Sequence, residues 1–322
     1  MDTGAISSLL DAQEGVISRQ QARARGACDH DVARLLRRRE WSAVHPGVYA
    51  AHTGEPTRAE REWAAVLLFA PAALTGRSAL HRYGVRTGRE GDRDLEAAPV
   101  QVAVARQRKV ASRPGIEVVR LSRFGFDVLS NLAPPRVRLE MVLLDLAAAA
   151  GDDRAAVAVL ADGVGSRRTT ARRLRVALDQ RPRLERRAFL TSVLEDVETG
   201  AHSVLEREYL RRVERAHRLP RAARQSSAGS PGRRVARDVT HGDLGVVVEL
   251  DGRLGHELAR DRWDDLQRDV DAALDGMLTL RLGWGQVLDP CRTARAVASV
   301  LGARGWGGHA AACRAGCVAG TR

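Results

Sequence analysis

The segment GVVVELDG, residues 245–252, decides how the last third of this chain is read. Three valines lead into Glu249 and Asp251, a β-prone run bounded by glycines. Side chains alternate along a strand, so Glu249 and Asp251 share one face. Working outward, residues 235–239 form a preceding strand that carries Asp238, and Thr240-His241-Gly242-Asp243 joins it to a strand over 244–250. Hairpin pairing brings Asp238 toward the face of Glu249. Upstream, 203–217 reads as a helix with Leu205, Tyr209, Val213 and Ala216 on one stripe, and RQSSAGSPGRR (224–234) is a loop by composition. Downstream, 257–274 reads as a helix stopped by Gly276, and 277–282 as a strand. Asp289-Pro290 supplies an N-cap and an N1 proline for a last helix to about Gly302. The order α-β-β-α-β-α predicts a mixed sheet flanked by helices.

Acidic residues gathered at the end of an apolar strand are costly to hold together unless a cation neutralises them. Mg²⁺ is the natural candidate and Mn²⁺ an alternative, with Asp238 and Glu249 as ligands, because such ions take carboxylate oxygen together with water and substrate phosphate. The charge pattern agrees. Residues 203–237 hold ten Arg against three Glu, whereas 238–275 hold four Arg against eleven Asp and Glu. A basic stretch feeding an acidic one suits a metal-using enzyme on a phosphate substrate, and equally two solvated faces that pair with each other.

The whole chain has 322 residues and a net charge of +12, which makes a polyanion the first partner to consider. Lys109 is the only lysine, so Arg carries nearly all the positive charge. With aromatics at 4%, reading single strands by base stacking is disfavoured and double-stranded DNA is the better nucleic-acid partner. There is no apolar run long enough to span a bilayer and no signal-peptide pattern, so no membrane is expected and a cytoplasmic location is. Four cysteines (Cys28, Cys291, Cys313, Cys317) make no disulfide framework. His309, Cys313 and Cys317 have one-turn spacings that suit a soft metal, but three ligands in a Gly- and Ala-rich tail read as an ordinary terminus.

Residues 1–50 read as a small helical unit closed by a hairpin. Ile6, Leu9, Leu10, Val16 and Ile17 give a first apolar face, and Ser18 with Gln21 makes a capping box for a second helix stopped by Gly26. Asp29 or Asp31 caps a third helix, which places Arg34, Arg37, Arg38 and Arg39 on or near its outer face; WSAVHPGVYAA (41–51) is a hairpin. Three helices plus a hairpin is the layout of a winged helix-turn-helix, whose third helix enters the major groove. Arginines on a helix face also serve simply as a solvated surface. In the middle, 60–68, 79–83, 137–150 and 155–160 read as helices, 100–105 and 116–121 as strands, and 167–187 as an exposed basic helical region.

Several spaced motifs together resemble a known family: Ser203 to Glu206, the strand bearing Asp238, VVVELDG followed by His256, a helix with Asp265 and Arg268, and a strand around Arg281. They look like the Vsr-like (very-short-patch-repair endonuclease-like) branch of the PD-(D/E)xK nuclease superfamily over about residues 200–305. Residues 1–50, through GVISRQQA, the Arg-rich third helix and HPGVYA, are similar to the winged-helix domain of AbiEi-type antitoxins. LTGRSALHRYGV (74–85) is similar to the segment next to that domain in the same antitoxins.

The first resemblance implies a restriction-endonuclease-like fold and metal-dependent DNA cleavage, and the second implies operator binding in a toxin-antitoxin or phage-defence setting with a possible cognate toxin. Carried over residue by residue, Asp238 and Glu249 hold the metal, His256 is base or transition-state stabiliser, Glu206 reaches toward the metal, and Arg268 and Arg281 contact phosphate or hold the acidic cluster. The superfamily pattern has Lys two positions after Glu249, where this chain has Asp251. Each role has a plainer counterpart. Glu206 fits a capping box with Ser203, and Arg268 and Arg281 fit salt bridges to Asp265 or Asp251. The expected fold is a multidomain α+β or α/β chain: a winged helix-turn-helix over 1–54, a mixed α/β middle over 55–198, a restriction-endonuclease-like mixed sheet flanked by helices over 199–305, and a flexible tail over 306–322. Two functions stay open: a DNA endonuclease, or an antitoxin-like regulator whose nuclease fold is inactive. A nucleotidyltransferase-type toxin is disfavoured, since no Gly-Ser followed by paired Asp is present.

Overall fold

The capping box read from Ser18 and Gln21 opens the second helix of the chain. Ser18 Oγ accepts the Gln21 backbone N–H at 3.2 Å while the Gln21 side chain accepts the Ser18 N–H at 3.0 Å. The computed structural model describes residues 2–86, 95–111, 113–199, 203–228, 235–254 and 276–320. It is a mixed α/β chain that divides into two compact units, Met1–Leu146 and Ala147–Arg322. Among the described residues no helix is long and apolar enough to cross a membrane.

The first unit begins α1 (Thr3–Ala12), β1 (Val16–Ser18), α2 (Arg19–Ala24), α3 (Asp29–Arg37), β2 (Ser42–His45) and β3 (Val48–Ala50). The hairpin β2–β3 forms as expected, but Val16 and Ile17 extend no helical face: they form a strand that pairs antiparallel with β3, in the order β1-β3-β2. After a left-handed Gly15 the pair gains more from a ladder than from another helical turn, because it buries Ile17 on the Ile6, Val32, Trp41 and Tyr49 core and Val16 against Val48, Trp63 and Ala64. The N-cap of α3 is Cys28, not an aspartate. Asp31 instead reaches back to accept the Cys28 N–H at 3.0 Å, and Asp29 pairs with Arg19 and Arg23.

Beyond this, α4 (Arg58–Leu68), β4 (Ala73–Leu74), α5 (Gly76–Tyr83), β5 (Val100–Ala105), β6 (Ile116–Leu121), α6 (Phe124–Asp127), β7 (Val128–Leu129), β8 (Arg136–Val137) and α7 (Leu139–Ala148) build a second sheet, β6-β5-β4-β8-β7, with helices packed on it. The expected helix over 137–150 therefore starts later, because Val137 is taken into β8. A second capping box opens α4: the Glu60 carboxylate accepts the Thr57 N–H at 2.7 Å, and it also meets His52 Nε2 at 2.6 Å.

Burial raises the Glu60 pKa, but the Thr57 backbone and hydroxyl and His52 outweigh it and hold the carboxyl below its usual range. A depressed folded-state value contributes stability that is present above the unfolded pKa of about 4.3 and is lost as pH falls through the folded value. Glu60→Gln is therefore expected to lower the melting temperature at neutral pH, with the two melting curves converging in acid. A constant gap across a pH series of thermal melts would refute the coupling.

The second unit runs α8 (Asp153–Gly165), α9 (Ala171–Asp179), α10 (Arg187–Thr199), α11 (Ser203–Glu208), a π-helical turn (Tyr209–Arg215), β9 (Ala223–Ala228), β10 (Val235–His241), β11 (Val246–Asp251), β12 (Leu278–Gly283), α12 (Trp284–Val287) and α13 (Pro290–Ala303). Only 171–179 of the basic stretch 167–187 forms α9, and that helix buries Leu174, Ala177 and Leu178 rather than standing free. The helix expected over 203–217 changes to π-helical winding after Glu208, still burying Leu205, Tyr209 and Val213. Its first turn is held by Asp196 of α10, whose carboxylate accepts the Val204 N–H at 2.6 Å in a buried setting.

The largest correction is β9: residues expected in a loop form an antiparallel edge strand on β10. Its polar sequence ARQSSA gives no strand signal, because the ladder with β10 rather than side-chain propensity decides its conformation. The sheet order is β12-β11-β10-β9, with β9, β10 and β11 antiparallel in succession and β12 parallel to β11. Leu244 belongs to a 3-10 turn before β11, and Gly245 (φ +61°) lets that turn enter the strand. The helix expected over 257–274 lies outside the described residues.

Candidate functional site

The register sets two of the expected residues side by side. Glu249 on β11 is the parallel partner of Arg281 on β12, and Val239 on β10 pairs with Val248 on β11. Asp238 precedes Val239 on β10, the strand next to β11, so Asp238, Glu249 and Arg281 lie on three neighbouring strands. The side chain of Asp238, together with His256, Asp265 and Arg268, lies outside the described residues.

Along β11, Val246, Val247, Val248 and Leu250 are buried while Glu249 and Asp251 are half-buried, so the expected alternation holds from Val248 onward and the acidic face is covered at Val247. Trp284 then pins the strand end: its buried indole N–H donates to the Gly252 carbonyl at 2.9 Å. Phe189 of α10 meets the same indole edge-on. Neither aromatic carries a signal in the sequence, since each acts through a neighbour distant along the chain.

Both described carboxylates have guanidinium partners. Arg281 Nη2 lies 3.3 Å from Glu249. Asp251 is clamped through both oxygens by Arg253, at 2.8 and 2.9 Å. The premise that these acids require a metal to coexist is thus weakened, because arginines supply compensating charge. The donor chemistry still fits Mg²⁺, which needs only one or two carboxylates with water completing its shell. Glu206 sits half-buried on α11, and that helix packs against β11. Arg253, two residues past Asp251, is legible as a potential partner by proximity alone.

At the other candidate interface, Arg34 and Arg37 lie within α3, Arg38 is its C-cap, and Arg39 follows in the left-handed region at φ +56°. Two of the four arginines thus lie on the helix and two at its end, where the chain turns to reach Trp41 and β2. Arg34 pairs with Asp31 at 3.3 Å, and Arg38 pairs loosely with Glu40 at 3.7 Å. Arg37, Arg38 and Arg39 are exposed or nearly so. Arg19 and Arg23 of α2 both pair with Asp29, and the Arg23 hydrogen bond, with Arg19 adding to it, holds that carboxyl below the usual range.

A third group of chemically capable side chains appears in the second unit. His217, Cys291, Cys313 and Cys317 each bring one ligand atom to within 4.8 Å of all the others. His309, the expected third member, is exposed and takes no part in the group. Burial would raise the Cys317 thiol, but backbone groups of Cys313 and Ala319 and the neighbouring thiols hold it down to about 6. Cys291 is pushed up to about 12 by burial and by the same neighbours. The tail that carries Cys313 and Cys317 buries Ala310, Cys317 and Ala319.

A scan of the chain against models of protein families finds no match. A search of curated proteins finds no significantly similar relative.

Proposed function

We propose that the chain is a DNA-binding protein whose second unit is a metal-dependent endonuclease acting on DNA phosphodiesters. The observation that carries this reading is the sheet itself: an antiparallel β9-β10-β11 run followed by a parallel β12, with Glu249 paired to Arg281 and Asp238 on the adjacent β10. That arrangement supports the Vsr-like resemblance of its motifs. Asp238 and Glu249 would hold Mg²⁺ or Mn²⁺, which when bound supplies an activated water and charge stabilisation at phosphorus. Arg281 orients Glu249 across the strand pair, Arg253 keeps the Asp251 carboxylate turned to its own guanidinium, and the Trp284 indole holds the strand end in register.

The first unit would deliver DNA. The helices α1–α3 and the sheet β1-β3-β2 at its start support a winged helix-turn-helix reading in which Arg34, Arg37 and Arg38 meet phosphates or guanine edges. Changing these three to Ala is expected to cut the slope of log affinity against log salt by roughly 2 to 3, since each phosphate contact contributes about 0.9. A slope unchanged in a salt titration of fluorescent duplex would remove α3 from the interface.

The test of the enzymatic reading is incubation of the purified chain with supercoiled plasmid and Mg²⁺ or Mn²⁺, beside an EDTA control and Asp238→Ala. Nicking that needs both the metal and Asp238 supports it. A second reading, an antitoxin-like regulator with an inactive nuclease fold, is favoured by the arginine partners of Glu249 and Asp251 and by the absence of Lys at position 251. Retention of intact plasmid in the same gel with every metal would support that regulator.

A further inference from the structure

We infer that His217, Cys291, Cys313 and Cys317 form a closed, structural Zn²⁺ site that fastens the C-terminal segment to the second unit. The ligand set is three sulfurs and one imidazole, the chemistry of tetrahedral zinc. The spacing fits as well. With Zn–S near 2.3 Å, a regular tetrahedron separates its sulfurs by about 3.8 Å. Cys291 Sγ lies 3.6 Å from Cys313 Sγ, and Cys313 Sγ lies 3.7 Å from Cys317 Sγ. Those separations are far longer than the roughly 2.05 Å of a disulfide.

The histidine gives the second, independent observation. His217 is fully buried, and its Nδ1 lies 3.1 Å from the Val213 carbonyl. That contact assigns the proton to Nδ1 and leaves Nε2 as the lone-pair nitrogen. Nε2 is buried and has no hydrogen-bond partner among the described residues. A buried imidazole nitrogen without a partner is costly, and metal coordination satisfies it. An Nδ1–H to carbonyl bond is also what orients a zinc-bound imidazole.

The site joins three separate pieces of the second unit. His217 follows the π-helical turn, Cys291 sits in the first turn of α13 beside Pro290, and Cys313 and Cys317 are four residues apart in the tail. The tail contributes little more than Ala310 and Ala319 to the core, together with a backbone bond from Ala311 N–H to the His217 carbonyl at 2.7 Å. Four protein ligands leave no open position, so the role is structural and not catalytic. On binding, the thiols give up their protons to solvent. This inference is independent of the nuclease reading.

The experiment is metal analysis of the full chain, purified reduced from zinc-supplemented cells, beside Cys313→Ser/Cys317→Ser, which alters only the tail. About one zinc per wild-type chain is expected and near none in the double variant, with circular dichroism confirming that both remain folded. Replacement by Co²⁺ should give the intense visible bands of a tetrahedral centre with thiolate charge transfer in the near ultraviolet, lost in the variant. His217→Cys should keep the metal and shift those bands toward an all-thiolate set. Wild-type protein that holds less than about a tenth of an equivalent of zinc and takes up no tetrahedral Co²⁺ would overturn the site, as would equal loading of the double variant.

Discussion

Glu249→Gln is expected to lower metal-dependent plasmid nicking by at least about a hundredfold while leaving the fold intact. The glutamine keeps the volume of the side chain, and its carbonyl oxygen can still accept from Arg281, which lies 3.3 Å from the native carboxylate. What disappears is the negative charge. A metal contributes several kcal/mol of charge stabilisation at phosphorus, and each 1.4 kcal/mol or so is tenfold in rate. The nicking rate measured against Mg²⁺ concentration should fall, with its midpoint moving to higher metal. Thermal stability should change by under about 1 kcal/mol, because Val246, Val248 and Leu250 remain buried. A variant that nicks within about threefold of wild type would place the metal elsewhere.

The second large effect concerns stability of the first unit. Glu62 on α4 is fully buried, and its carboxylate receives Arg58 Nε at 3.0 Å, Arg82 Nε at 2.5 Å and His81 Nδ1 at 3.2 Å. Arg58 is itself buried and also donates to Ser78 Oγ and to the carbonyls of Leu95 and Ala98. Removing the acid strands a guanidinium in the interior, so Glu62→Ala is expected to cost roughly 3 to 5 kcal/mol. For a unit of this size that is a fall in melting temperature on the order of 10 °C. Differential scanning calorimetry reads it directly, and the double change Arg58→Met/Glu62→Met should recover part of the loss because no buried charge is then unpaired. A loss below about 1 kcal/mol in the single variant would mean that the network is solvated in solution.

What was legible in the linear chain was local. Ser18 with Gln21 and Asp289 with Pro290 mark helix starts, because a cap needs only residues within one turn. The alternation in GVVVELDG identifies a strand with Glu249 and Asp251 on one face, since side-chain direction follows from the backbone period alone. Tertiary structure decided who meets whom.

ARQSSA becomes β9 because β10 offers an open edge, and Val16 and Ile17 become β1 because β3 does. Glu249 meets Arg281 only through the parallel register of β11 and β12, which a segment distant in sequence must complete. On α4, Glu62 reads as an ordinary solvated charge until α5 brings Arg82 and His81 against it. The same holds for His217 and Cys291. Each is unremarkable among its neighbours, and only the packing of α13 and the tail against the π-helical turn gathers them with Cys313 and Cys317. Contacts between residues far apart along the chain are set by how whole elements pack, which no local pattern encodes.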